Sequence, residues 1–175
     1  MSQLQWLIVF SGLPGSGKST VARLLARHLG AGYLRIDSIE AALLNATGRP
    51  VDVEGYTVAY ALAADQLGLG LNVVADCVNP LEVTRDAWAA VAAEAGCPIL
   101  NIEVVCSDPN EHQRRVEARQ ADSANHAGQW QPPTWAKVQA EAHGYQPWIT
   151  SRVVLDTASS APDTLFAELL ARLNA

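Results

Sequence analysis

Lysine is nearly absent from this chain: Lys18 and Lys137 stand alone in 175 residues, and the formal net charge is −6. A protein that grips a nucleic-acid backbone needs a cation for each phosphate it contacts, so this balance weighs against a polynucleotide substrate. Cysteine is also scarce. Cys77, Cys97 and Cys106 form no metal-binding spacing, and their odd number argues against a disulfide framework, so buried core thiols are expected. The opening Met1-Ser2-Gln3-Leu4-Gln5 lacks the basic stretch of a secretory leader, and the apolar run behind it is far shorter than a bilayer span. A soluble, cytoplasmic protein is expected, with no membrane contact and no obligate protein partner. No internal repeat, linker or low-complexity tract interrupts the chain, so residues 1–175 are expected to form a single domain.

What is present alternates short apolar runs with helical patterns, as a parallel α/β sheet does. Strands are expected at Leu7-Ile8-Val9-Phe10, Tyr33 to Ile36, Asn72 to Ala75, Ile99 to Val105 and Arg152 to Leu155. Helices are expected from about Ser19 with Val21, Leu24, Leu25 and His28 on one face, after Asp37, from Tyr56 to Leu67, from Trp135 to Ala142, and at the end with Leu165, Phe166, Leu169, Leu170 and Leu173 on one stripe. Asn79-Pro80-Leu81-Glu82 and Asp108-Pro109-Asn110-Glu111 each read as a helix start: a capping side chain, proline in the first turn, then an acid. Residues 120–133 are polar, aperiodic and end in Pro132-Pro133, which predicts a loop.

The strongest chemical signal is Gly12-Leu13-Pro14-Gly15-Ser16-Gly17-Lys18-Ser19, which satisfies G-x-x-x-x-G-K-[ST] between a buried strand and a helix. Glycines let backbone N–H groups approach phosphate oxygens, and the helix behind presents its positive end to the same phosphates. Gly12, Pro14, Gly15, Ser16, Gly17, Lys18, Ser19 and Thr20 are the expected ATP contacts, Lys18 as the cation on the β/γ-phosphates and the Ser19 hydroxyl as a Mg2+ ligand. An NKxD element for guanine is missing. The DxxG at Asp65-Gln66-Leu67-Gly68 falls inside a helical pattern.

Asp37, Asp76 and Asp156 each follow an apolar strand, where ligands of an open parallel sheet collect. Asp76 is the expected second Mg2+ ligand. Asp37 is placed to accept the proton of an incoming hydroxyl. Helix capping is the competing reading for all three, and the preferred one for Asp156. Arg115 and Arg119, four residues apart and hence on one helix face, are expected to neutralise charge on a transferring phosphoryl group, against a competing surface pairing of Arg115 with Glu111.

With these residues in place, the chain resembles the small P-loop kinases related to chloramphenicol phosphotransferase and the kinase domain of polynucleotide kinase. The likeness runs over nearly the whole length and rests on the P-loop, Asp37, the 73–79 segment, Arg115-x-x-x-Arg119 and Tyr145-Gln146-Pro147-Trp148. It implies an adenylate-kinase-like fold, ATP with Mg2+, a base at Asp37, lid arginines, and an acceptor-facing segment that contains Asn79. Polynucleotide-kinase-like members often carry D-x-x-R where this chain has Asp37-Ser38-Ile39-Glu40, so an acid, Glu40, replaces a cation that would favour an anionic acceptor.

The combined expectation is a three-layer α/β/α P-loop NTPase fold with a parallel sheet of about five strands and a short lid near residues 116–134. The expected activity is transfer of the γ-phosphate of ATP to a hydroxyl of a small-molecule acceptor, with Lys18, Asp37, Arg115 and Arg119 catalytic and Asp37, Glu40 and Asn79 toward the acceptor. The alternatives are a kinase of nucleosides, nucleotides or polynucleotide 5′-ends, and a nucleotide-dependent binding or sensing ATPase.

Overall fold

The computed structural model describes residues 5–123, 128 and 130–173. The strands are β1 (Leu7–Ser11), β2 (Gly32–Arg35), β3 (Val73–Asp76), β4 (Ile99–Val105) and β5 (Val153–Asp156). They form one all-parallel sheet in the order β2-β3-β1-β4-β5. The helices among the described residues are α1 (Lys18–Leu29), α2 (Ile36–Thr47), α3 (Glu54–Gly68), α4 (Glu82–Ala95), α5 (Pro109–Ser123), α6 (Trp135–Gly144) and α7 (Pro162–Leu173). Sheet and helices make the three-layer P-loop NTPase architecture.

The layers follow from side-chain alternation along the strands. Leu7 and Val9 of β1 and Val73 and Ala75 of β3 point to one face, where they pack with Ala59, Ala63 and Leu67 of α3 and Trp88 and Val91 of α4. Ile8, Phe10 and Val74 point to the other, against Val21, Leu25 and Ala26 of α1 and Leu165 and Leu169 of α7. With both neighbours paired and both faces covered, β1 is buried at every residue, and the loop that leaves it starts from the centre of the sheet.

Local details depart from the sequence reading. His28 is exposed; Ala22 and Ala26 complete the buried stripe of α1 instead. Of the three free cysteines only Cys77 is buried. β2 ends at Arg35 and α2 begins at once, so Asp37 sits in the first helical turn rather than on a strand end. Asp108 caps α5 as expected, accepting from the N–H groups of Asn110 (2.9 Å) and Glu111 (3.2 Å). Asn79 does not cap α4, which starts at Glu82. Asn79 adopts a left-handed φ of 53°, and its side-chain amide donates to Ser11 Oγ at 3.0 Å, which takes it away from the helix. The Glu82 N–H donates instead to Gln146 Oε1 at 2.6 Å. Among the described residues no helix is long and apolar enough to cross a membrane.

Candidate active site

The P-loop leaves β1 at the carboxyl end of the sheet and feeds α1, whose first-turn N–H groups have no intrahelical acceptors. Gly15 and Gly17 hold φ values of 83° and 92°, which the loop's inward-turned amides require. The loop is pinned from three sides. The Gly12 N–H donates to Val78 O (3.1 Å), Pro14 O lies 2.8 Å from His112 Nε2, and Ser16 O accepts from the Thr157 hydroxyl (2.7 Å). These contacts tie the loop to the β3–α4 connection, α5 and the end of β5.

Beside the loop is a cavity of about 280 Å3 lined by Gly15, Gly17, Lys18, Ser19, Thr20, Arg23, Arg35, Arg115 and Arg119. Its walls gather five cations from a chain of net charge −6. A polyanion of triphosphate size is the ligand such a wall suits. His112, Arg115 and Arg119 lie at helical spacing on α5, so the helix that buttresses the P-loop also delivers the arginines. Arg115 does pair with Glu111 (2.7 Å), and its other nitrogens reach the Thr157 hydroxyl (2.7 Å) and carbonyl (3.1 Å). That pairing orients Arg115 toward the loop rather than removing it from the cavity. Arg114 is exposed and bonded to the same Glu111, whose carboxyl the two arginines pull down to about 2.

Asp37 Oδ2 accepts from Arg119 Nη2 (2.8 Å) and Arg35 Nη2 (2.9 Å). Burial pushes its carboxyl up, but Lys18, Arg119 and Arg35 together outweigh that and hold it below the usual carboxylate range. Arg35 also approaches Asp76 (3.9 Å), which accepts from the Tyr33 hydroxyl at 2.6 Å. Asp76 is 2% exposed, and its Oδ1 is buried with no hydrogen-bond partner among the described residues. Asp156 accepts from the N–H groups of Ser107 and Ala158 and so closes the turn after β5.

On the far side of Asp37 a second cavity, of about 440 Å3, is lined by Ile36, Asp37, Glu40, Val51, Asp52, Tyr56, Val78, Pro80, Lys137, Glu141 and Gly144. Asp37 thus belongs to the wall of one cavity while its carboxylate is held by arginines of the other. Asn79 is not on this wall. It is fully buried between Val78 and Pro80, its N–H donating to the Tyr56 hydroxyl (2.8 Å). Glu40 is on the wall and lies so close to α3 that a Cβ at Gly55 would stand 2.6 Å from its Cγ. Burial pushes the Glu40 carboxyl up to about 7, with Asp37 and Glu141 adding to the effect and Lys137 opposing it.

This shift has a measurable consequence. The folded protein holds the Glu40 proton more tightly than the unfolded chain, so the stability gained is full below pH 4.5 and is lost as pH rises through about 7. Glu40→Gln is therefore expected to gain on the wild type by about 1 kcal/mol, or roughly 2–4 °C in Tm, between pH 5 and pH 8, a value discounted for partial solvation. Thermal melts at the two pH values check this; a constant difference would contradict it.

The sequence reading missed Arg23, Arg35, Lys137 and Glu141, and it also missed Arg85. The Arg85 guanidinium is buried and donates to the carbonyls of Asn79 (3.1 Å), Pro80 (3.1 Å), Gln146 (2.8 Å) and Pro147 (3.0 Å), stacked 4.2 Å from the Trp148 ring. It thereby fastens the Val78–Pro80 wall to the segment that follows α6. Arg85→Ala removes the guanidinium donor from all four carbonyls, of which Pro80 O keeps the Gln146 N–H (2.9 Å), and is expected to cost roughly 3 kcal/mol, or about 6–12 °C in Tm. A melt within about 2 °C of the wild type would remove Arg85 from this structural role.

Fold and site together define a P-loop nucleotide-binding protein with a cationic cavity on the P-loop and a second cavity beside Asp37. The family model described as an AAA domain matches residues 7–132, and the chain belongs to that family. Over 43 residues the chain is 56% identical to a shikimate kinase of Mycobacterium avium (strain 104), a match covering 25% of this chain and 23% of that protein's length. Among solved structures, a putative kinase from Chloroflexus aurantiacus is similar over 99% of this chain and 98% of that one, with 18% identity and a TM-score of 0.77. APS kinase of Mycobacterium tuberculosis, in complex with AMPPNP and APS, is similar over 98% and 99%, with 20% identity and a TM-score of 0.70.

Proposed function

We propose that this chain is an ATP-dependent kinase that transfers the γ-phosphoryl group to a hydroxyl of a small-molecule acceptor. The observation that carries this reading is the position of Asp37 between a cationic cavity on the P-loop and a second, acceptor-sized cavity. The kinases among its sequence and structural relatives favour phosphotransfer over passive nucleotide binding. Kinship with the chloramphenicol phosphotransferase and polynucleotide kinase branch rests on Asp37, the 73–79 segment and the Arg115/Arg119 pair.

In this mechanism Lys18 and the P-loop amides of Gly15, Gly17, Lys18 and Ser19 hold the triphosphate, and Arg115 and Arg119 meet its γ-phosphate. Asp37 orients the acceptor hydroxyl and takes its proton as the new O–P bond forms and the γ-phosphate leaves ADP. Its depressed pKa suits a loose transition state, in which the proton is released late. Arg35 and Arg119 can turn to phosphate oxygens when the nucleotide enters, and that lifts their hold on Asp37. The residues present fit a Mg2+ ion that arrives with the nucleotide: Ser19 is in the P-loop cavity and Asp76 has a free, buried oxygen. Among the described residues no group of three metal-ligating side chains is present, so phosphate oxygens and waters would have to complete the shell of such an ion. When bound, Mg2+ would neutralise charge on the β- and γ-phosphates.

The lid assigned to residues 116–134 includes 124–127 and 129, which lie outside the described residues. Its proposed role rests on Arg119, whose guanidinium lies 5.6 Å from the Trp130 ring centre. The acidic chain and the acidic second cavity favour a neutral or cationic acceptor over a nucleic-acid end. A side-by-side transfer assay with 5′-hydroxyl oligonucleotides, nucleoside monophosphates, sugars and amino alcohols tests this. Transfer to the small hydroxyl compounds is expected. Efficient transfer to an oligonucleotide end or a monophosphate would promote the alternative.

A further inference from the structure

The second cavity carries more chemistry than its place beside Asp37 requires. Glu40 enters from α2 and Glu141 from α6, with Asp52 also on the wall, against a single ammonium, Lys137. Among the described residues neither glutamate has a cationic partner within hydrogen-bond distance. Glu40 has no hydrogen bond or ion pair among the described residues, yet it is half-buried and pressed against the Gly55 position. Glu141 Oε2 is buried without a partner, and Oε1 reaches only the largely exposed Lys137 ammonium, at 3.9 Å. Burial raises the pKa of both carboxyls, a sign that each is held at a cost to the folded state.

Two half-buried carboxylates on opposing helices, in a cavity open to ligand, are stabilised most by a cation placed between them. An anionic acceptor would add to the repulsion, and a neutral one would leave it in place. Ile36, Val51, Val78 and Pro80 supply an apolar wall for a carbon skeleton.

We propose that this cavity selects a cationic acceptor, an amino alcohol whose ammonium sits between Glu40 and Glu141 while its hydroxyl reaches Asp37. The inference rests on the kinase reading and adds the charge class of the substrate. The ligand's ammonium displaces Lys137 as the partner of Glu141. The phosphoryl step is the one already given, with the acceptor nitrogen protonated throughout and uninvolved in bond making.

The test splits a metabolite extract on a cation exchanger into a retained, cationic fraction and a neutral-plus-anionic flow-through. Each is incubated with the wild-type protein, Mg2+ and γ-labelled ATP. Transfer of label to an organic product from the cationic fraction, at least tenfold above that from the flow-through, is the expected result. Transfer confined to the flow-through, or equal from both, overturns the inference and leaves the kinase reading standing. Transfer from neither fraction, nor from the recombined extract, defeats the kinase reading and the inference with it. With the cationic fraction, Glu40→Gln and Glu141→Gln should each raise the acceptor KM at least tenfold, with a much smaller change in the KM for ATP. An unchanged acceptor KM in both variants, each shown by circular dichroism to be folded, would also overturn it.

Discussion

Lys18→Ala is expected to lower transfer from ATP by about 10²–10³-fold and to weaken ATP binding, while the fold remains. Lys18 is 5% exposed and lies in the P-loop cavity among Arg23, Arg35, Arg115 and Arg119. Removing one of several clustered cations relieves repulsion in the protein alone, so no large loss of Tm is expected. The nucleotide loses the one compact cation that the loop brings to its β/γ-phosphates. Lys18 also pulls the Asp37 carboxyl down, so the variant should raise the apparent pKa of any step that depends on Asp37. Titration with a fluorescent ATP analogue, alongside a thermal melt, checks the prediction. Unchanged affinity and turnover would defeat the P-loop assignment.

The second large effect belongs to Asp37. Asp37→Asn keeps the shape and removes the basicity, and kcat should fall by about 10²–10⁴-fold. ATP affinity should hold or improve, because Arg35 and Arg119 lose the carboxylate that both now contact. The structure sharpens this test against the capping alternative. The cap position of α2 is Arg35, with no side-chain cap bond, and the Asp37 carboxylate bonds to the two guanidiniums. A variant with near-normal kcat and a Tm lowered by several degrees would show that Asp37 serves the helix and not the reaction.

What the sequence made legible was local or periodic. The P-loop carries its own conformational requirements within eight residues, and the unbroken apolar run of β1 already implied a strand covered on both faces. The Asp108 cap was readable because donor and acceptor are two and three residues apart. Asn79 carried the same local signature and misled, because Ser11, 68 residues away, holds its side chain. Gln146 then answers the Glu82 N–H across 64 residues. The candidate site divides the same way. Lys18 and the arginine pair of α5 are visible as spacing, whereas Glu141 and Lys137 gain meaning only when α6 is seen to wall the cavity beside Asp37. Arg35 reads as an ordinary strand residue until the fold sets it between Asp37 and Asp76.

The central claim is that the γ-phosphate passes from the P-loop cavity to a hydroxyl in the neighbouring one. The most direct measurement follows the label of γ-labelled ATP, incubated with the protein, Mg2+ and a whole metabolite extract, as it divides between organic and inorganic phosphate. The account predicts rapid, extract-dependent formation of a phosphatase-sensitive organic phosphate by the wild type, and its loss in Asp37→Asn. Label released only as inorganic phosphate, at the same rate with and without extract, would contradict it.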